Sequence, residues 1–154
     1  MRYLLLTVLS SMLLLNAVHV LAQSSNSRET KNATAIKAVL DEQTAAWNRG
    51  DIEGFMQGYD RSEKTVFVGG ATVTRGWQTV LERYKKNYDS REKMGTLSFS
   101  DVEVMPLAND SALVLMSWHL QRAKDEPHGK STLVMRKTKQ GWRIVYDHSS
   151  GAGQ

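Results

Sequence analysis

Ser131-Thr132-Leu133-Val134-Met135-Arg136-Lys137, then Lys139-Gln140-Gly141, then Trp142-Arg143-Ile144-Val145-Tyr146-Asp147-His148-Ser149 is the stretch on which the fold turns. Two runs rich in β-branched and large apolar residues flank a short turn containing glycine, the pattern of an antiparallel hairpin. Upstream, Ala112 to Arg122 reads as another long strand, entered from an Asn109-Asp110 turn, and Lys124 to Gly129, with Pro127, reads as loop. Before it, Leu97 and Phe99 alternate in one phase and Val102 and Val104 in the other. The switch near Ser100–Asp101 predicts a β-bulge, which bends a strand and curves its sheet. Everything after Met94 is therefore strand, four long ones in succession.

The preceding half has a different period. Ile36, Val39, Leu40, Gln43 and Trp47 share one face of a helix predicted from Thr34 to Arg49, and Gly50 ends it. Asp51 is placed to cap a second helix whose buried stripe is Ile52, Phe55, Met56 and Tyr59. Thr65 to Val68, the Gly69-Gly70 turn and Ala71 to Arg75 form a hairpin. Trp77, Val80, Leu81, Tyr84 and Tyr88 then restore helical spacing after Gly76. Long antiparallel strands cannot leave an apolar face wet, and three amphipathic helices are available to cover it. The prediction is an α+β fold: a cone-shaped, curved antiparallel sheet packed on three helices, with a concavity at its open end where ligand sites preferentially form.

The N-terminus speaks to compartment. Arg2 precedes an apolar run from Leu4 to Leu15, and Val20-Leu21-Ala22 offers a cleavage site before Gln23. This layout predicts a signal peptide over 1–22, hence an exported protein, periplasmic or secreted. An uncleaved anchor is the alternative, disfavoured because the run falls short of the roughly 20 apolar residues of a spanning helix. Residues 23–33 are polar and read as a flexible leader, 34–150 as one domain and 151–154 as a tail with nothing to anchor it. Cysteine is absent, which excludes disulfides and thiol chemistry. The formal charge of +4, or +3 without Arg2, is too mild to indicate nucleic acid or a membrane surface.

Trp47-Asn48-Arg49-Gly50-Asp51 followed by Phe55 and Tyr59, then Arg75-Gly76-Trp77, then Gly141 to Ser150 resemble the SnoaL-like, SgcJ/EcaC-type branch of the nuclear transport factor 2-like superfamily. The final strand is also similar to the end of the association domain of calcium/calmodulin-dependent protein kinase II. The resemblance spans about Ile36 to Ser150 and implies a conical α+β barrel, the cystatin-like roll, with a pocket between helices and concave face and a homodimer formed through the outer sheet face. It does not imply one activity, because this frame carries isomerases, dehydratases, cyclases, transport factors and assembly hubs. Two departures stand out. Ketosteroid isomerases of this fold carry a base aspartate early in the first strand, whereas Thr65 to Val68 contains no acid. The kinase domain's pocket arginines are matched here by Leu133 and Ser149.

His148 is the leading candidate for chemistry, as a proton carrier in a strand expected to face the cavity, or otherwise as a hydrogen-bonded structural histidine. Alternation puts Tyr146 on the same face as His148 and turns Asp147 away unless a bulge intervenes. Met116, Trp118, Leu120 and Arg122 share one face of their strand, so Trp118 and Arg122 are candidates for an apolar floor with an anion-binding rim. The sequence leaves open whether that face is the concave one, and a core tryptophan with a solvated arginine is the plainer reading. Trp47 and Tyr59 are expected to line the cavity, with the Tyr59 hydroxyl a second candidate for proton transfer. No metal site is expected, since His119, His128 and His148 have no ligand spacing, and no cofactor motif appears. Three functions follow: binding of a small apolar or carboxylate-bearing molecule, an isomerase-, cyclase- or dehydratase-type enzyme using His148 or Tyr59, and a dimeric assembly module. The first is preferred because no acid–base pair is visible.

Overall fold

The computed structural model describes residues 27–152. The expected signal peptide, residues 23–26 of the expected leader and residues 153–154 lie outside that range. Two compact units divide the chain, 1–34 and 35–154, and the sheet belongs wholly to the second. Residues 27–33, expected as flexible leader, are helical instead. No glycine or proline interrupts 27–48, and Thr34 Oγ1 donates to the Thr30 carbonyl at 3.0 Å, a local bond that helical geometry supplies. No described helix is long and apolar enough to cross a membrane.

Within the second unit the helical residues 35–48 form α1. Its periodic face is buried as the spacing predicts, with Ile36, Leu40, Gln43 and Trp47 each 2 % exposed or less. Gly50, at φ 86°, closes it, and Asp51 Oδ1 accepts from the Gly54 amide at 2.7 Å to start α2, Ile52–Met56. The stripe predicted to run helically through Tyr59 stops earlier. Gly58 passes directly over the buried Gln43, where any Cβ would lie 2.4 Å from the Gln43 amide carbon. Tyr59 instead forms a parallel bridge to Ile144.

The hairpin β1, Val66–Gly69, and β2, Thr72–Arg75, leads into α3, Trp77–Asn87. A short fourth helix not legible in the periodicity, α4, Arg91–Met94, is capped by Ser90. Four long strands follow: β3, Thr96–Ala108; β4, Ser111–Gln121; β5, His128–Thr138; and β6, Gly141–Gly151. The six-stranded sheet has the order β2-β1-β6-β5-β4-β3, with only the β1–β6 pair parallel. The bulge expected in β3 lies between Ser100 and Glu103, where Asp101 adopts φ 52°. The first two residues of the expected tail are anchored: Gly151 pairs with Gly129, and the Ala152 amide donates to the His128 carbonyl at 2.8 Å.

One further irregularity decides the site. Val134 pairs with Tyr146 but Met135 with Ile144, so Val145 is an extra residue in β6. It falls where β6 exchanges neighbours, from the Gly58–Asp60 segment, which bonds Ile144 on both sides, to β1, which begins at Tyr146. An extra residue inverts the alternation of everything after it. Trp142 and Ile144 face the core, and beyond the bulge Asp147 and Ser149 do so rather than Tyr146 and His148.

Candidate functional site

The inner face of the sheet and the helices enclose a cavity of about 260 Å³. Its aromatic wall is assembled from separate elements. Trp47 comes from α1, Phe55 from α2, Phe67 from β1, Tyr84 from α3, Tyr88 from the cap just after it, and Trp118 from β4. The rings pack edge to face or tilted: Trp47 lies 5.2 Å from Phe55 and 4.7 Å from Tyr88 edge to face, and Tyr84 lies 5.2 Å from Phe55, tilted, and 5.6 Å from Phe67, edge to face. The indole nitrogens on the wall are already used. Trp47 Nε1 donates to the Met94 carbonyl at 3.0 Å and Trp118 Nε1 to the Ser150 carbonyl at 3.1 Å. What these two rings offer a ligand is therefore apolar surface.

Polar groups gather at the buried end. Asp147 is 4 % exposed. Its Oδ2 accepts from the Tyr59 hydroxyl at 2.6 Å and its Oδ1 from the Ser149 hydroxyl at 2.8 Å. Ser149 and Ser131 share a hydrogen bond at 2.6 Å, and the Tyr84 hydroxyl stands 3.4 Å from that of Tyr59. One polar line thus runs Tyr84, Tyr59, Asp147, Ser149, Ser131 across the hollow, whose lining also includes Gln43, Arg83 and Asn87. Each carboxylate oxygen receives one donor and retains acceptor capacity for another.

Electrostatics single out the carboxyl. Burial pushes Asp147 up from the usual carboxylate range to about 6, against the downward pull of its bonds from Tyr59 and Ser149 and of neighbouring His148. The Tyr59 and Tyr84 phenols are driven well above their ordinary value, by burial first and by the Asp147 charge second, so both remain protonated donors. At the opposite end the lining residues that reach solvent, Gly70, Asn87, Ser150 and Gly151, mark the mouth. Half-buried Arg83 lines the cavity with its guanidinium 5.2 Å from the Phe67 ring centre.

The sequence-derived candidates divide accordingly. Trp47, Tyr59 and Trp118 line the cavity as expected, and the Met116–Leu120 face of β4 is the concave one. Tyr146 and His148 do not reach it: both are exposed on the outer face, Tyr146 at 40 %, because the extra residue at Val145 reverses the phase. Arg122 is absent from the lining as well. Its Nε lies 2.8 Å from Asp125 Oδ1 and its Nη1 donates to the Lys93 carbonyl at 3.2 Å, which tie it down at the end of β4. Simple alternation turns Asp147 outward, and the single extra residue at Val145 brings it inward. No group of three histidine, cysteine or acidic side chains able to hold a metal ion exists among the described residues.

A model of the SnoaL-like domain matches residues 36–153. The chain belongs to the SnoaL-like domain family. Among solved structures this SnoaL-like chain is similar to an NTF-2 like protein of unknown function from Shewanella oneidensis MR-1, with 40% identity over 76% of this chain and 97% of the other and a TM-score of 0.73. A domain of unknown function with a cystatin-like fold from Nostoc punctiforme PCC 73102 shares 23% identity over 79% of this chain and 77% of its own, at a TM-score of 0.66. A ketosteroid isomerase-like protein from Erwinia carotovora atroseptica SCRI1043 shares 19% identity over 80% and 98%, at 0.64. The last two speak for the fold alone: α+β, a curved sheet against helices, here four rather than three. No curated protein matches the sequence.

Proposed function

We propose that this SnoaL-like protein binds a small molecule of one or two rings, its apolar body against the aromatic wall and a polar head at Asp147. The observation that carries the reading is the cavity itself: about 260 Å³, walled by eight aromatic rings, with a buried carboxyl among them. That volume lies just under the 300–1,000 Å³ typical of drug-sized sites. Arg83 at the mouth supports a ligand that carries a carboxylate at its outer end, the role the sequence had suggested for Arg122.

The four tryptophans supply the test. Trp47 and Trp118 line the cavity whereas Trp77 and Trp142 do not. Titration with single-ring probes should shift the indole N–H signals of the first pair and leave the second pair in place. Shifts confined to Trp77 and Trp142, or none with any probe, would remove the proposal.

A second reading has its own observation. The enzyme alternative lacked an acid partner for Tyr59, and Asp147 now stands 2.6 Å from that hydroxyl with its pKa raised to about 6. Such a carboxyl suits proton transfer at neutral pH on a carbonyl compound, with Tyr59 or Tyr84 as donor to its oxygen. Turnover of this kind would appear as solvent deuterium entering the carbon next to the carbonyl, and would vanish in Asp147→Asn. His148 has no part in it.

A further inference from the structure

We infer that the buried end of the cavity takes an organic ammonium group, so that the ligand class is a small aromatic or alicyclic amine. The inference rests on the small-molecule reading above and names the head group. Three observations carry it. The first is an uncompensated charge. Both oxygens of Asp147 are hydrogen-bonded by neutral hydroxyls, of Tyr59 and Ser149, and among the described residues no lysine or arginine pairs with it. The basic side chain that bears on it among the described residues is His148, its chain neighbour, exposed on the other face of the sheet. Buried carboxylates are normally paired, and this one has its missing partner's place open toward a hollow.

The second observation is the wall. A cavity meant for a neutral apolar body alone is served by leucine and valine. Here five aliphatic or methionine side chains are joined by Trp47, Phe55, Phe67, Tyr84, Tyr88 and Trp118, whose π-faces attract a cation while still presenting apolar surface. Aromatic faces plus one carboxylate meet both demands of an ammonium, compensation of charge and partial replacement of its hydration. The third is what the site lacks. No second carboxylate and no histidine joins Asp147 inside, so a metal ion would find one protein ligand, too few for a stable site. With Arg83 at the mouth, a ligand carrying both an amine and an acid would satisfy the two ends together.

Benzylamine and benzyl alcohol provide the test, since they share a ring and a shape and differ in charge. Both are titrated at pH 7.5 into the wild-type protein and into Asp147→Asn, with Trp47 and Trp118 indole shifts as the readout. The expected result is that benzylamine binds at least ten-fold more tightly than benzyl alcohol, and that the difference collapses in Asp147→Asn. Equal or tighter binding of benzyl alcohol to the wild type would overturn the ammonium assignment and leave the small-molecule reading standing. Failure of both probes to move either indole would remove the two together. The wild-type comparison needs no variant, so it decides the matter even if Asp147→Asn folds poorly.

Discussion

Asp147 is a residue the fold carries at a cost. Its pKa is about 6 in the folded chain against 3.8 for an unperturbed aspartate, so the folded state holds this proton more tightly than the unfolded one. The contribution to stability is therefore most favourable below pH 4, falls as pH rises from about 4 to about 6, and stays at its lower level above. Two pKa units amount to about 3 kcal/mol at neutral pH. Asparagine has the same shape and no charge, and it still accepts one of the two hydroxyl bonds. Asp147→Asn is thus expected to stabilise the protein by about 1–2 kcal/mol at pH 7.5, with the gain gone near pH 4. Urea denaturation of both proteins at the two pH values checks this, and a variant less stable at pH 7.5 would mean that something in the fold compensates the charge. A residue that weakens the fold it sits in belongs to a site rather than to the core.

At the scale of elements, the end of α1 that carries Trp47 is clamped by α4. Arg91 of α4 donates from Nη1 to the Trp47 carbonyl at 2.9 Å and from Nη2 to the Asn48 carbonyl at 3.1 Å, the last turn of α1. The Trp47 carbonyl also accepts from the Gly50 amide at 2.8 Å, so the guanidinium adds a second bond there, and a cation at this end opposes the negative end of the helix dipole. Asn48 completes the join, giving Nδ2 to the Leu97 carbonyl at 3.0 Å and taking the Leu97 amide on Oδ1 at 2.7 Å. It therefore ties α1 to β3 rather than serving only as a turn cap. Arg91→Ala should cost about 1–2 kcal/mol, and Arg91→Lys should recover less than half, because an ammonium cannot fork to two carbonyls as a guanidinium does. Chemical denaturation measures both. Full recovery by lysine would show that charge alone, not the fork, supports the helix end.

For the whole molecule, the outer sheet face is what the bulge left behind. Met105, Leu113, Val134 and Tyr146 stand in one cross-strand row over β3, β4, β5 and β6, with Met105 59 % and Tyr146 40 % exposed. Leu115, 39 % exposed, flanks the row. Farther along, Asp101 and Lys130 lie 3.6 Å apart, one of each sign. An apolar stripe beside a pair of opposite charges is self-complementary under a two-fold axis, which is what a second copy of the chain requires. A homodimer through this face is the expected state in solution, and light scattering should give twice the chain mass. Tyr146→Asp should shift the protein to monomer without altering the Trp47 and Trp118 responses to ligand. A wild type that remains monomeric at high concentration would dispose of the dimer and of any assembly role.

The residues alone determined the strand order, the three longer helical patterns, the bulge in β3 and the aromatic stock of the cavity, but not α4, because each of those is a local pattern: a period of 3.6, a period of two, a slip of phase between Phe99 and Val102. They also marked Trp47 and Tyr59 as buried, although Tyr59 is buried from a bridge to Ile144 and not from the helix face expected for it. What they could not settle was which side of β6 faces inward after Ile144. That choice is made by pairing, since Val145 is squeezed out where β6 leaves the Gly58–Asp60 segment and meets β1, strands far apart in the chain. One extra residue there exchanged Tyr146 and His148 for Asp147 and Ser149. Arg122 was lost for a similar reason, its partners Asp125 and Lys93 being brought together by a loop and a helix end. Periodicity is a property of neighbours in sequence, whereas the register that orients a strand is a property of its neighbours in space.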